Sequence, residues 1–106
     1  MFKIEENKIW LTRGDTAEFK PIIEDYLVQE GDEVVFAVKR YPTTEPPVIR
    51  VAVAAGDNIS LTNEMTSTLP LGTYLYELKL NTVDGNISTF ASGRFTLLGD
   101  LDNEND

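Results

Sequence analysis

Gly72-Thr73-Tyr74-Leu75-Tyr76-Glu77-Leu78-Lys79-Leu80, with Asp84-Gly85 and then Ile87 to Leu98 behind it, is the stretch that decides the fold. Tyr74, Tyr76, Leu78 and Leu80 fall on one side and Glu77 and Lys79 among those on the other, the two-residue period of a half-buried strand. Asp84-Gly85 predicts a hairpin closed by a two-residue type I′ turn, because that turn needs positive φ at both positions and Asp-Gly accepts it. The returning strand over Ile87 to Leu98 carries Phe90, Phe95 and Leu97, with Ser92-Gly93 as the expected bulge.

The same period runs upstream. Lys8 to Thr12 reads as a strand, and Arg13-Gly14-Asp15 as the break before a second over Thr16 to Ile23, with Phe19 inward. Glu30-Gly31-Asp32 turns the chain into Glu33 to Arg40, where Val34, Phe36 and Val38 oppose Val35, Ala37 and Lys39, the pattern of a central strand. The following loop holds Pro42, Pro46 and Pro47, which lack amide donors, so it is expected to cross between sheets or follow an edge. Strands over Val48 to Val53 and Ile59 to Thr62 come next, separated by Ala55-Gly56-Asp57. Asn63 to Leu69 starts on a plausible N-cap and is expected to form one helical turn before Pro70.

Seven strands ending in a hairpin are the element count of an immunoglobulin-like antiparallel β-sandwich. Such domains place a Tyr at the start of the sixth strand, two residues before an inward core position, with its hydroxyl tying down the preceding corner. Leu69-Pro70-Leu71-Gly72-Thr73-Tyr74-Leu75-Tyr76 fits, with Tyr76 standing where a disulfide-bearing domain has Cys. The expected organisation is therefore one all-β domain over 1–99 and an acidic, disordered tail over 100–106.

Composition narrows the chemistry. The 106 residues suffice for one core and leave no room for a second. With no Cys there are no disulfides, thiolate nucleophiles or Cys-type zinc sites, and with no His the usual general base near neutral pH is missing. The net charge of −9 has the wrong sign for tracking nucleic acid or an anionic membrane. Four of the acids, Asp100, Asp102, Glu104 and Asp106, crowd the tail. Glu5 and Glu6 interrupt the apolar run a signal peptide would need, and no segment is long enough to span a membrane. Synthesis and retention in the cytoplasm are expected, unless a larger assembly carries the chain out.

Several sharper readings compete with plain ones. Arg13-Gly14-Asp15 has the composition of an integrin-binding tripeptide, but turn chemistry accounts for Gly14 and Asp15. The acids Glu24, Asp25, Glu30, Asp32 and Glu33 lack the alternating spacing of a calcium loop and read as a solvated loop. Two Asn-Ile-Ser sequons at Asn58 and Asn86 are coincidental without a secretory leader. No pair of carboxylates is singled out as an acid and base for glycoside chemistry. Trp10, Tyr26 and Tyr41 are the candidate exposed anchors of an interface, the alternative for Trp10 being that it caps the core. An apolar edge strand offers a further route to self-pairing. No catalytic, cofactor or metal-binding residue is assigned; the structural corner and turns are assigned to Gly14, Asp15, Gly72, Tyr74, Asp84 and Gly85.

Five segments together carry a family resemblance: Leu11-Thr12-Arg13-Gly14-Asp15-Thr16, Gly31-Asp32-Glu33-Val34-Val35-Phe36-Ala37-Val38-Lys39, Gly72-Thr73-Tyr74-Leu75-Tyr76-Glu77, Asp84-Gly85, and Thr89, Gly93 and Phe95. The chain resembles the immunoglobulin-like N-terminal domain of the baseplate upper protein of siphophages that infect Gram-positive bacteria, and related small prophage tail proteins. The resemblance runs to Leu98 and rests on turn and core residues, which report fold better than function. It implies an attachment module of a virion, docking to tail or baseplate proteins or to copies of itself as a homo-oligomer, with no nucleic acid and no membrane insertion. The sequence carries no helical stem or receptor-binding head, which favours packing over host recognition. The competing expectation is a carbohydrate-binding module that reads host surface glycans.

Overall fold

The computed structural model describes residues 1–42 and 45–99; the expected tail over 100–106 lies outside them. Eight strands and one helical turn follow in order: β1 (Phe2–Glu5), β2 (Lys8–Thr12), β3 (Ala17–Phe19), β4 (Glu33–Lys39), β5 (Ile49–Ala54), β6 (Ile59–Leu61), α1 (Asn63–Thr66), β7 (Gly72–Asn81) and β8 (Ile87–Leu98). They form a six-stranded sheet in the order β1-β2-β8-β7-β4-β5 and a two-stranded sheet of β3 and β6. The fold is an all-β sandwich. In immunoglobulin terms β3 and β6 take the places of strands B and E, β4, β7 and β8 those of C, F and G, and β5 that of C′.

The layers close because the strands alternate. Val34, Phe36 and Val38 of β4, Tyr74, Tyr76, Leu78 and Leu80 of β7, and Phe95 and Leu97 of β8 all bury one side. Ile59 and Leu61 of β6 meet them from the small sheet. Phe36 sits at the centre, with ring centroids 5.4 Å from Phe19, 5.8 Å from Tyr76 and 6.3 Å from Phe95. Tilted and edge-on rings of this kind add to the apolar burial that holds the layers together.

The corner before β7 is built as expected. The Tyr74 hydroxyl donates to the Pro70 carbonyl at 2.6 Å while Tyr76 is buried two residues on. The turn at Arg13-Gly14-Asp15 is fastened to the other side of this corner. Gly14 N–H donates to Thr66 Oγ1 at 2.8 Å, Asn63 Nδ2 donates to the Gly14 carbonyl at 2.8 Å, and Arg13 Nη1 donates to the Leu69 carbonyl at 3.3 Å.

Several local expectations are corrected. The sheet is not wholly antiparallel, since β2 pairs with β8 in parallel, Ile9 opposite Phe95 and Leu11 opposite Leu97. An additional strand, β1, hairpins onto β2 through Glu6, whose φ is 54°. The strand expected over Thr16 to Ile23 stops at Phe19, where Pro21 removes a donor from the ladder. Thr62 rather than Asn63 caps α1, leaving the Asn63 amide free to hold Gly14. β4 and β5 are antiparallel neighbours in one sheet with β5 at its edge, so of the two expectations for the connection between them only the crossing between sheets is overturned.

Both expectations for the last hairpin shift by a residue or more. Its loop is three residues long: Gly85 N–H donates to the Thr82 carbonyl at 2.9 Å and Thr82 N–H to the Asn86 carbonyl at 2.8 Å. Only Gly85 has positive φ, 91°, so Asp84 is not in a type I′ turn; a type I turn followed by a left-handed glycine replaces it. The bulge falls at Phe90, between the pairs Leu78–Ala91 and Lys79–Thr89, while Ser92 and Gly93 pair in register with Glu77 and Tyr76. Gly93 serves a different purpose. A Cβ there would overlap the Asn7 carbonyl oxygen and lie 2.8 Å from its carbon, so only glycine lets the β1–β2 turn settle on β8, where Arg94 N–H donates to that same oxygen at 3.1 Å.

Candidate functional site

Alternation fixes what the six-stranded sheet shows to its outside. With Ile9 and Leu11, Val34, Phe36 and Val38, and Phe95 and Leu97 turned inward, the opposite positions are Lys8 and Trp10 on β2, Val35, Ala37 and Lys39 on β4, Leu75, Glu77 and Lys79 on β7, and Ser92 and Arg94 on β8. β1 adds Lys3 and Glu5, and β5 adds Arg50. The small sheet covers the inner side, and no described element covers the outer one.

On this face a groove of about 450 Å³ runs between Ala37, Leu75 and Gly93, rimmed by Lys39, Tyr41, Glu77 and Arg94. Its floor is apolar because β4 and β7 place Ala37 and Leu75 there, and its wall is Tyr41, 60% exposed, just past the end of β4. The groove thus combines an apolar floor with a charged rim, a layout that interface patches share.

The three aromatic candidates have different surroundings. Tyr41 lines the groove. Trp10 is half-buried on the outer face, not a cap on the core, and Lys3 Nζ lies 5.3 Å from its ring centroid. That cation–π contact leaves the Trp10 ring partly covered. Tyr26 belongs to a separate structural cluster, its hydroxyl donating to Asp32 Oδ2 at 2.6 Å.

Asp32, 2% exposed, gathers two more donors: Gln29 N–H at 2.9 Å on Oδ2 and Val83 N–H at 2.9 Å on Oδ1. One carboxylate thus ties the loop before β4 to the loop of the last hairpin. The Tyr26 hydroxyl first, then the two backbone donors, hold its pKa below the usual carboxylate value, and the same bond, with burial, raises that of the Tyr26 phenol. Sequence reasoning passed over this cluster, treating Asp32 as a turn residue among solvated acids. The available signal was the Glu30-Gly31-Asp32 turn immediately before a buried strand.

The remaining assigned residues are structural in their contacts. Asp15 Oδ2 meets the Met1 ammonium group, Gly14 is held by Asn63 and Thr66, and Gly72 opens β7. Asp84 and Gly85 form the hairpin loop. Among the described residues no three acidic side chains converge as a metal site, and no helix is long and apolar enough to cross a membrane. Compared with protein-family models and with curated proteins, the chain matches none.

Proposed function

We propose that the chain is a non-enzymatic structural module of a phage or prophage, associated with the tail or baseplate, that assembles with itself or docks onto neighbouring tail proteins in the virion. The observation that carries this reading is the uncovered outer face of the six-stranded sheet, with the Tyr41 groove in it. The resemblance of the turn and core residues to baseplate domains points to the same use. The chain's charge argues against nucleic acid as the partner, and the role requires no cofactor and no membrane insertion. Light scattering of the purified protein, alone and mixed with the proteins encoded beside it, tests the reading. A homo-oligomer or a stable mixed complex is expected, and a monomer in every mixture overturns it.

The exposed Tyr41 beside Ser92, Glu77 and Arg94 favours one second reading, a glycan-binding groove, since a sugar ring stacks on an aromatic face and its hydroxyls seek such polar neighbours. Glycan-array binding that disappears in Tyr41→Ala would establish it, and no binding by the unmodified protein would remove it.

A further inference from the structure

The basic residues of this acidic chain are segregated. Six of the nine, Lys3, Lys8, Lys39, Arg50, Lys79 and Arg94, point from the outer face of the six-stranded sheet, and of the fourteen acids among the described residues three, Glu5, Glu33 and Glu77, share its outward strand positions, with Glu45 beside Lys39 and Tyr41 at its margin. Lys3 pairs with Glu5 at 3.1 Å, whereas Lys8, Arg50, Lys79 and Arg94 form no ion pair among the described residues. The far side of the sandwich has the opposite sign. Glu18 faces outward from β3, Asp57 lies in the turn before β6 and Glu64 in the first turn of α1, all exposed, with Lys20 after β3 and the half-buried Arg13 beside the α1 corner as basic exceptions.

We propose that the basic outer face of the six-stranded sheet receives the acidic small-sheet side of a second copy of this chain. This rests on the assembly role proposed above and names the surfaces that perform it. The sign pattern selects the occupant. A polyphosphate strand would meet Glu77 at the rim of the groove and Glu5 and Glu33 at the sheet's margins, whereas a protein surface of mixed charge can answer each in turn. Every copy also carries the complementary surface, so no other component is needed. At about 0.1 M salt the Debye length is about 10 Å, which confines the mutual repulsion of two net-negative chains to the surfaces in contact, and there basic meets acidic. Because the two surfaces differ, the contact is head-to-tail and propagates into a ring or an open stack rather than a closed two-fold dimer.

Sedimentation velocity decides the matter with three proteins: the unmodified chain, the face variant Arg50→Glu/Arg94→Glu, and the side variant Glu18→Lys/Asp57→Lys. All four residues are exposed, so circular dichroism and thermal midpoints are expected to stay near the parent's. The unmodified chain should associate at about 0.1 M salt and at least about tenfold more weakly at about 1 M. Each variant alone should be monomeric, and their equimolar mixture should associate again, because each supplies the surface the other has reversed. Association that ignores salt, persists in the face variant, or fails to return in the mixture overturns the proposal. So does a chain that remains monomeric at every concentration, and if that monomer still binds a neighbouring tail protein the wider assembly role stands without it. Retention of an oligonucleotide by the unmodified chain and not by the face variant, with no self-association, likewise overturns it.

Discussion

The Tyr74 hydroxyl and the Asp32 carboxylate fasten the chain at opposite ends of β7, one to the Pro70 carbonyl before the strand and the other to Val83 N–H after it. Tyr74→Phe keeps the ring in its buried place and strands the Pro70 carbonyl, so it should lower unfolding stability by about 1–2 kcal/mol in urea titrations. Asp32 sets a pH dependence. Its folded pKa lies below the ordinary carboxylate value, so in the acid range the unfolded chain binds the proton more readily. Its stabilisation is therefore complete above about pH 4 and disappears as the pH falls through the depressed folded value. The thermal midpoint should drop on that acid limb, and Asp32→Asn should flatten the drop. At the alkaline end the sign reverses, because hydrogen bonding to Asp32 raises the Tyr26 pKa and burial raises that of Tyr76. Stability from both phenols is present below about pH 10 and is lost as the pH climbs through their higher folded values. A fall in thermal midpoint accompanied by late phenolate absorbance checks this.

At the scale of elements, the β1–β2 hairpin depends on one missing side chain. Gly93→Ala would drive a methyl group into the Asn7 carbonyl, a backbone atom that cannot rotate aside. A cost of at least about 3 kcal/mol is expected, with loss of hydrogen-exchange protection concentrated at Arg94 N–H and in β1. The sequence drew attention to Gly93 for the wrong reason. Glycine in a strand is equally consistent with a bulge and with a close backbone approach, and the choice rests on Asn7, which is 86 positions away and carries no signal of its own. The hairpin loop was misread similarly: Asp84-Gly85 fits a two-residue turn locally, but Asp32 engages Val83 N–H and the observed loop has three residues.

For the molecule as a whole, Phe36 is where the layers meet, touching rings from β3, β7 and β8. Phe36→Ala should cost about 3–5 kcal/mol in chemical unfolding, since no neighbour can move in without leaving its own partners. The alternating residues of β4, β7 and β8 alone were enough to determine a two-layer β fold and the tyrosine corner, because a period of two assigns each side chain to a face whatever the rest of the chain does. Composition alone, without Cys or His, narrowed the chemistry. Tertiary structure decided the parallel pairing of β2 with β8, the seat of Gly93 on Asn7, and the separation of Tyr26 from the outer face where Trp10 and Tyr41 lie. It also decided that most basic residues share one side. These features depend on which distant segments become neighbours, and that follows from closing the core as a unit, not from any local preference of the residues involved.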